Sequence, residues 1–314
     1  MGAAVTVAVL GAADIAKELA KKGTASDLTL FNAVRDDHAL TIVEPTQFPE
    51  KLAPLLYAVG MADRAVLVIP GLTREVAETA AVLDLAEVPT VVRLGPGVGE
   101  EEVRRAFKGT RLETVPMAPL DLLALRAEVD GWSAPSRDGP VRVPIDHAFP
   151  VKGVGAVALG GVRRGTLRAH DRLRLYPTDT EVEARSIQVH DVDVREAPTG
   201  ARVGVAVKGA DADEISRGQV LAPPGSLTVS ERLIGRERAL CRYFRGALRA
   251  GAHLHALIGL QFVPVEIHRF DADGFELEAD RPVVYEPGDR VLVADLSPPG
   301  GPRIAARLTL ASTA

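Results

Sequence analysis

The run from Val141 to Leu221 constrains the fold more than any other stretch of the chain. Apolar and polar residues alternate there in short runs, among them VRVPIDHAF, GAVALGG, RLRLYP, EVEARSIQVH and RVGVAVKG, and Gly, Pro or Asp interrupts each run within a few residues. Alternation at period two marks a half-buried strand, and turn residues at this spacing mark antiparallel neighbours. Gly and Asp supply the turns, and the inward Val, Leu and Ile fill a small interior. The expectation is a closed antiparallel barrel.

The residues before it follow another pattern. Thr6–Leu10 reads as a strand, the portion from Ala13 to Lys22 has helical spacing with a stop at Gly23, and His38–Val43 reads as a strand ending at Glu44. Ala65–Ile69 and the TVVRL run are near-continuous Val and Ile, each followed by a helical pattern, and Asp121–Asp130 reads as a closing helix. Buried apolar strands alternating with helices predict a parallel α/β sheet. Gly131–Pro140 is rich in Gly, Pro and Ser, as linkers are. After Ser226 the strand-sized alternation returns. The expected domains are therefore 1–136 (α/β), 137–225 (barrel) and 226–314 (second barrel).

Charge separates the same three parts. Residues 1–140 hold 14 Lys and Arg against 20 Asp and Glu, whereas the rest of the chain is nearly balanced. An acidic first domain is a poor setting for a polyphosphate, and the balanced remainder is no obstacle to RNA. The single Cys241 excludes an internal disulfide and a multi-cysteine zinc site, and is expected as a small buried hydrophobe. No window approaches the ~20 uninterrupted apolar residues of a membrane span, so the expected location is the cytoplasm.

The pieces PIDHAF, VKGVGAV, GTLRAHD, RSIQVH, EAPTGARVGV and ISRGQVL, in this order, resemble the second domain of translational GTPases, the selenocysteine-specific elongation factor most and elongation factor Tu next. The segment RPVVYEPGDRVLV resembles the last strands of the third domain. The resemblance implies a GTPase-like α/β domain followed by two β-barrels. It also implies that, between Met1 and Ala314, the chain lacks the winged-helix extension with which the bacterial selenocysteine factor reads an mRNA hairpin.

The nucleotide site that the resemblance implies is degenerate. Against the phosphate-loop pattern G-x-x-x-x-G-K-[ST], the segment GAADIAKE keeps Gly11 and Lys17, with Asp14 between them. Ala16 replaces the second Gly, and Glu18 stands where a hydroxyl would hold Mg²⁺. At the end of the next motif strand Glu44 keeps a carboxylate, but Gln47 replaces a γ-phosphate-sensing Gly and Phe48 a water-positioning His. Phenylalanine cannot orient water. Arg93, Leu94, Gly95 and Pro96 replace the guanine-reading Asn-Lys-x-Asp, and Met117, Ala118 and Pro119 its Ser-Ala partner. Only 26 residues separate Lys17 from Glu44, so the first switch is expected to be missing. The stretch GPGVGEEEVRRAF is a plain loop and helix start, since its three glutamates suit the helix dipole and repel phosphate.

In the first barrel the resemblance places an aminoacyl-tRNA site at Asp146, His147, Phe149 and Arg202. Asp146 and Arg202 match the selenocysteine factor, His147 departs from it, and Phe149 is placed to stack on the terminal adenine. The same residues also suit a turn cap, a core aromatic and a solvated arginine. On the first view Arg202→Ala should weaken RNA binding with little change in melting temperature. Arg238, Arg242, Arg245 and Arg249, with Tyr243 and Phe244 among them, could track an RNA backbone or cover an apolar barrel face. His253, His255 and His268 read as structural. No catalytic residue, metal or cofactor is expected. Two readings of function stand: a pseudo-GTPase binding tRNA or the ribosome, with neither membrane nor DNA as partner, or a divergent GTPase that uses GTP and Mg²⁺ to deliver a special aminoacyl-tRNA.

Overall fold

The computed structural model describes residues 4–35 and 38–312. Its first part is a seven-stranded sheet built from β1 (Ala4–Leu10), β2 (Lys21–Ala25), β3 (Thr29–Arg35), β4 (His38–Glu44), β5 (Arg64–Ile69), β6 (Thr90–Leu94) and β7 (Met117–Pro119). The order is β2-β3-β4-β1-β5-β6-β7. From β4 through β7 the strands run parallel, with β1 buried along its whole length because helices cover both faces. Those helices are α1 (Ile15–Leu19), α2 (Ala53–Met61), α3 (Arg74–Ala86), α4 (Glu100–Ala106) and α5 (Leu122–Asp130). Local chemistry sets their ends. The Thr73 hydroxyl accepts from the Val76 amide to start α3, and the Asp121 carboxylate accepts from the Leu123 and Ala124 amides to start α5.

One expected element is different. The helix read over Ala13–Lys22 stops after five residues, because Ala20 turns extended and Lys21–Ala25 becomes an edge strand. That strand pairs antiparallel with β3, itself antiparallel to β4. The helical spacing of Ala16, Leu19 and Ala20 is genuine, but the backbone pairing of Lys21 and Lys22 with Asn32 and Phe31 overrides its continuation. All five residues of β2 are exposed, and lysines on an outer strand discourage pairing with another chain. A short hairpin thus occupies the interval expected to lack the first switch.

Both barrels form as read. The first closes through six strands, Arg172–Tyr176, Val220–Ala222, Val143–Val151, Gly155–Gly161, Arg202–Lys208 and Thr180–Val189. The second is a closed barrel of six strands between Thr228 and Leu310. Cys241 is buried, as expected of a small hydrophobe. Among the described residues no helix is long and apolar enough to cross a membrane.

The α/β unit and second barrel share one core, in which Leu55, Leu56 and Leu83 from the helices cluster with Leu257, Leu292 and Ile304. Their contact is close enough that a Cβ on Gly60 of α2 would lie 2.8 Å from the Gly259 carbonyl oxygen. Ion pairs surround this contact: Arg303 clasps the buried Glu78 of α3, and Arg290 and Arg307 converge on Glu87 at its end. The first barrel is fastened by Arg163 to the buried Asp63 at 2.9 Å and by Arg217 to Asp27 at 2.5 Å.

Candidate functional site

The loop after β1 begins at Gly11, whose φ of +89° and 2.1 Å clearance from the Val68 carbonyl, measured to an added Cβ, admit only glycine. Asp14 is left-handed and lies 2.9 Å from the Lys17 ammonium. This contact holds the Lys17 pKa above its ordinary value, and the ammonium remains exposed. At the start of α1 the Ala16 amide donates to Glu44 Oε1 at 3.2 Å. A helix start presents unpaired N–H groups that favour an anion. Here a carboxylate of the chain's own meets one of them. Burial raises the Glu44 pKa, opposed by the Ala16 hydrogen bond. Gly11, Asp14, Lys17 and Glu44 are therefore together, with the lysine and the Ala16 amide each facing an internal acid.

The positions around the loop are engaged in packing. Phe48 lies beneath the Arg303 guanidinium, 5.8 Å from its ring centroid. Arg93, buried in β6, pairs with Glu128 of α5 and donates to the Val92 carbonyl at 3.0 Å. The strand end that would face a base is thus tied to the closing helix.

In the first barrel a bulge between Ile145 and His147 turns Asp146 inward. Its carboxylate meets the Arg202 guanidinium through both terminal nitrogens, and the two side chains are only 5% and 10% exposed. Arg202 is thus the internal counter-ion of Asp146. The expectation that its removal would leave melting unchanged is corrected, since a buried carboxylate without its partner is strongly destabilising. His147 is exposed, with its ring 5.8 Å from that of Phe149. Phe149, Val157, Leu159, Gln188, His190 and Arg202 line a cavity of about 780 Å³ whose far wall includes Thr24 and Asn32 of the hairpin. His190 escaped the sequence reading. Its φ is +48°, and its buried Nε2 has no hydrogen-bond partner among the described residues. Burial, then the Arg202 charge, lowers its pKa and favours the neutral ring. The only signal in the sequence is the adjacent His-Asp pair after a strand, a turn composition shared by many loops.

The arginine-rich segment divides. Arg238 donates to the Asp271 carbonyl and lies 5.3 Å from the Phe270 ring centroid. Arg242 donates to the Lys108 carbonyl at 2.6 Å, across to the α/β unit. Arg245 and Arg249 are exposed. Two of the four thus make exposed hydrogen bonds within the chain. His255 stacks on Phe262 and His268 contacts Glu278 at 3.1 Å.

Residues 155–222 match the family model for elongation factor Tu domain 2. An uncharacterized protein of Methanocaldococcus jannaschii is 34% identical over 294 residues, covering 92% of this chain and 94% of that protein. The selenocysteine-specific elongation factor of the same organism is 26% identical, over 89% of this chain and 65% of its own length. This chain belongs to the translational GTPase superfamily. Within the superfamily, the crystal structure of elongation factor SelB from Methanococcus maripaludis with the GTP analogue GppNHp superposes with a TM-score of 0.82 and 22% identity. The alignment covers 99% of this chain and 79% of that one, so the translational GTPase architecture extends across all three units.

Proposed function

We propose that this chain is a translation-factor-shaped pseudo-GTPase that binds aminoacyl-tRNA or the ribosome through its barrels without a nucleotide cycle, in the cytoplasm. The observation that carries this reading is Glu44, whose carboxylate accepts from the amide of Ala16 in the first turn of α1. A phosphate bound there would have to displace it and would meet like charge. Asp14 on Lys17 works in the same direction. The ion pairs between the units support the second half of the reading, because a switch needs two arrangements separated by a ligand's differential affinity.

Isothermal titration of GTP with Mg²⁺ is expected to give no binding heat at micromolar concentration. Micromolar binding would overturn the reading in favour of a divergent GTPase delivering a special aminoacyl-tRNA. RNA recovered with the protein from lysate is expected to be enriched in tRNA or ribosomal RNA, and enrichment in neither would remove the partner assignment.

A further inference from the structure

A cavity of about 510 Å³ lies where the three units meet, bounded by the end of α2, the start of the first barrel and the Gly288–Arg290 turn of the second. Arginines dominate its charged lining. Arg142 is held by Asp289 at 2.7 Å and Glu286 at 3.1 Å, Arg163 by Asp63, and Arg202 by Asp146. Arg290 shares Glu87 with Arg111 and Arg307, so three guanidiniums draw on one carboxylate. Arg137, on the connection between the first two units, lines the same cavity. Among the described residues its guanidinium has neither a hydrogen bond nor a carboxylate partner, while its backbone carbonyl is fixed by the Gly165 amide at 2.8 Å. Partial burial and the neighbouring Arg163 charge both lower its pKa, with Asp63 opposing.

The result is a positive excess inside a chain whose net charge is −5. The remainder of the wall is apolar, with Val59, Leu257 and Leu292 among its residues. Concave sites of this size hold small ligands, with apolar walls for the body and a few polar groups for the head. A guanidinium's planar fork suits phosphate oxygens, and charge attraction is stronger where water is partly excluded.

We infer that the junction cavity binds a phosphate-bearing small molecule, with Arg137 supplying the free cation and Arg163 the charge beside it. The cavity lies at the opposite end of β1 from the Gly11–Lys17 loop, so the inference does not rest on the state of that loop. Arg137 reaches from a fixed backbone, so its side chain can close over the anion without moving the domains.

The test titrates orthophosphate and adenosine monophosphate, separately, into the full chain at constant ionic strength balanced with chloride, reading binding heat and melting temperature. Orthophosphate alone would identify a free anion, and tighter binding of the monoester would identify a ligand with an apolar body. At least one is expected to bind the wild type and raise its melting temperature, with affinity falling tenfold or more in Arg137→Ala and less in Arg137→Lys. Lys17→Ala is expected to leave this binding unchanged. No binding by either ligand, equal binding by wild type and Arg137→Ala, or a loss confined to Lys17→Ala would overturn the inference. Arg137 is exposed as a residue although the cavity wall partly shields its guanidinium, so its substitution should preserve folding.

Discussion

The loop after β1 and the first barrel's cavity each pair charges internally, but in different surroundings. At the loop, Lys17 and Asp14 meet in water, with side chains 54% and 73% exposed. In the barrel, Asp146 and Arg202 meet almost out of contact with it. Solvent screens the first pair until it contributes little, while the second pair leaves a costly orphan whenever one partner is removed. Similar sequence features, one Asp and one basic residue, thus yield a dispensable surface contact and a structural fastening.

The sharpest way to break this comparison is Arg202→Ala. It should destabilise the chain by about 3–5 kcal/mol, as removal of one partner of a buried pair does, measured by urea denaturation followed by circular dichroism. A loss no greater than that of an exposed arginine would place Arg202 in solvent and restore it as a free ligand contact. Phe149→Ala sharpens the comparison from the ligand side. If the ring stacks on a base, RNA binding should weaken by about five- to 150-fold, from ~1–3 kcal/mol per stacked base, with little change in melting. Equal RNA affinity would remove Phe149 from the site.

A smaller effect is expected at Glu44. Because burial raises its pKa in the folded chain, the folded state retains a proton that the unfolded state has released. In the pH window just above the ordinary carboxylate value, stability therefore falls as pH rises toward the raised value. Glu44→Gln should flatten that decline in melting temperature across the window, and an unchanged profile would show that Glu44 titrates normally. The smallest effect belongs to Lys17→Ala, expected to leave melting temperature and RNA affinity unmoved. A loss of either would show that the exposed lysine has a role beyond its contact with Asp14.

Much of the architecture was legible because its determinants are local. The barrels announce themselves through alternation and turn residues, the central strands through uninterrupted Val and Ile, and α5 through Asp121 ahead of its first turn. The Lys21–Ala25 strand was hidden because its stabilising partner is another strand rather than its own side-chain pattern. The candidate sites were legible as residue types but not as pairings. Asp146 and Arg202 are separated by 56 positions and Arg217 and Asp27 by 190, and no spacing rule joins residues so distant. Arg217 illustrates the cost of this blindness. Present in the sequence only as part of the ISRGQVL piece, it lowers the pKa of Asp27 by hydrogen bonding and lies 4.8 Å from the Tyr57 ring centroid.

The near-touching of Gly60 and the Gly259 carbonyl has a mechanical corollary. A methyl group at position 60 would come within 2.8 Å of the Gly259 carbonyl oxygen, so α2 and the second barrel meet there backbone against backbone. An alanine at position 60 would press its methyl on that carbonyl oxygen, so the helix or the Gly259 turn would have to give way locally while the shared core and its ion pairs still hold the two units together.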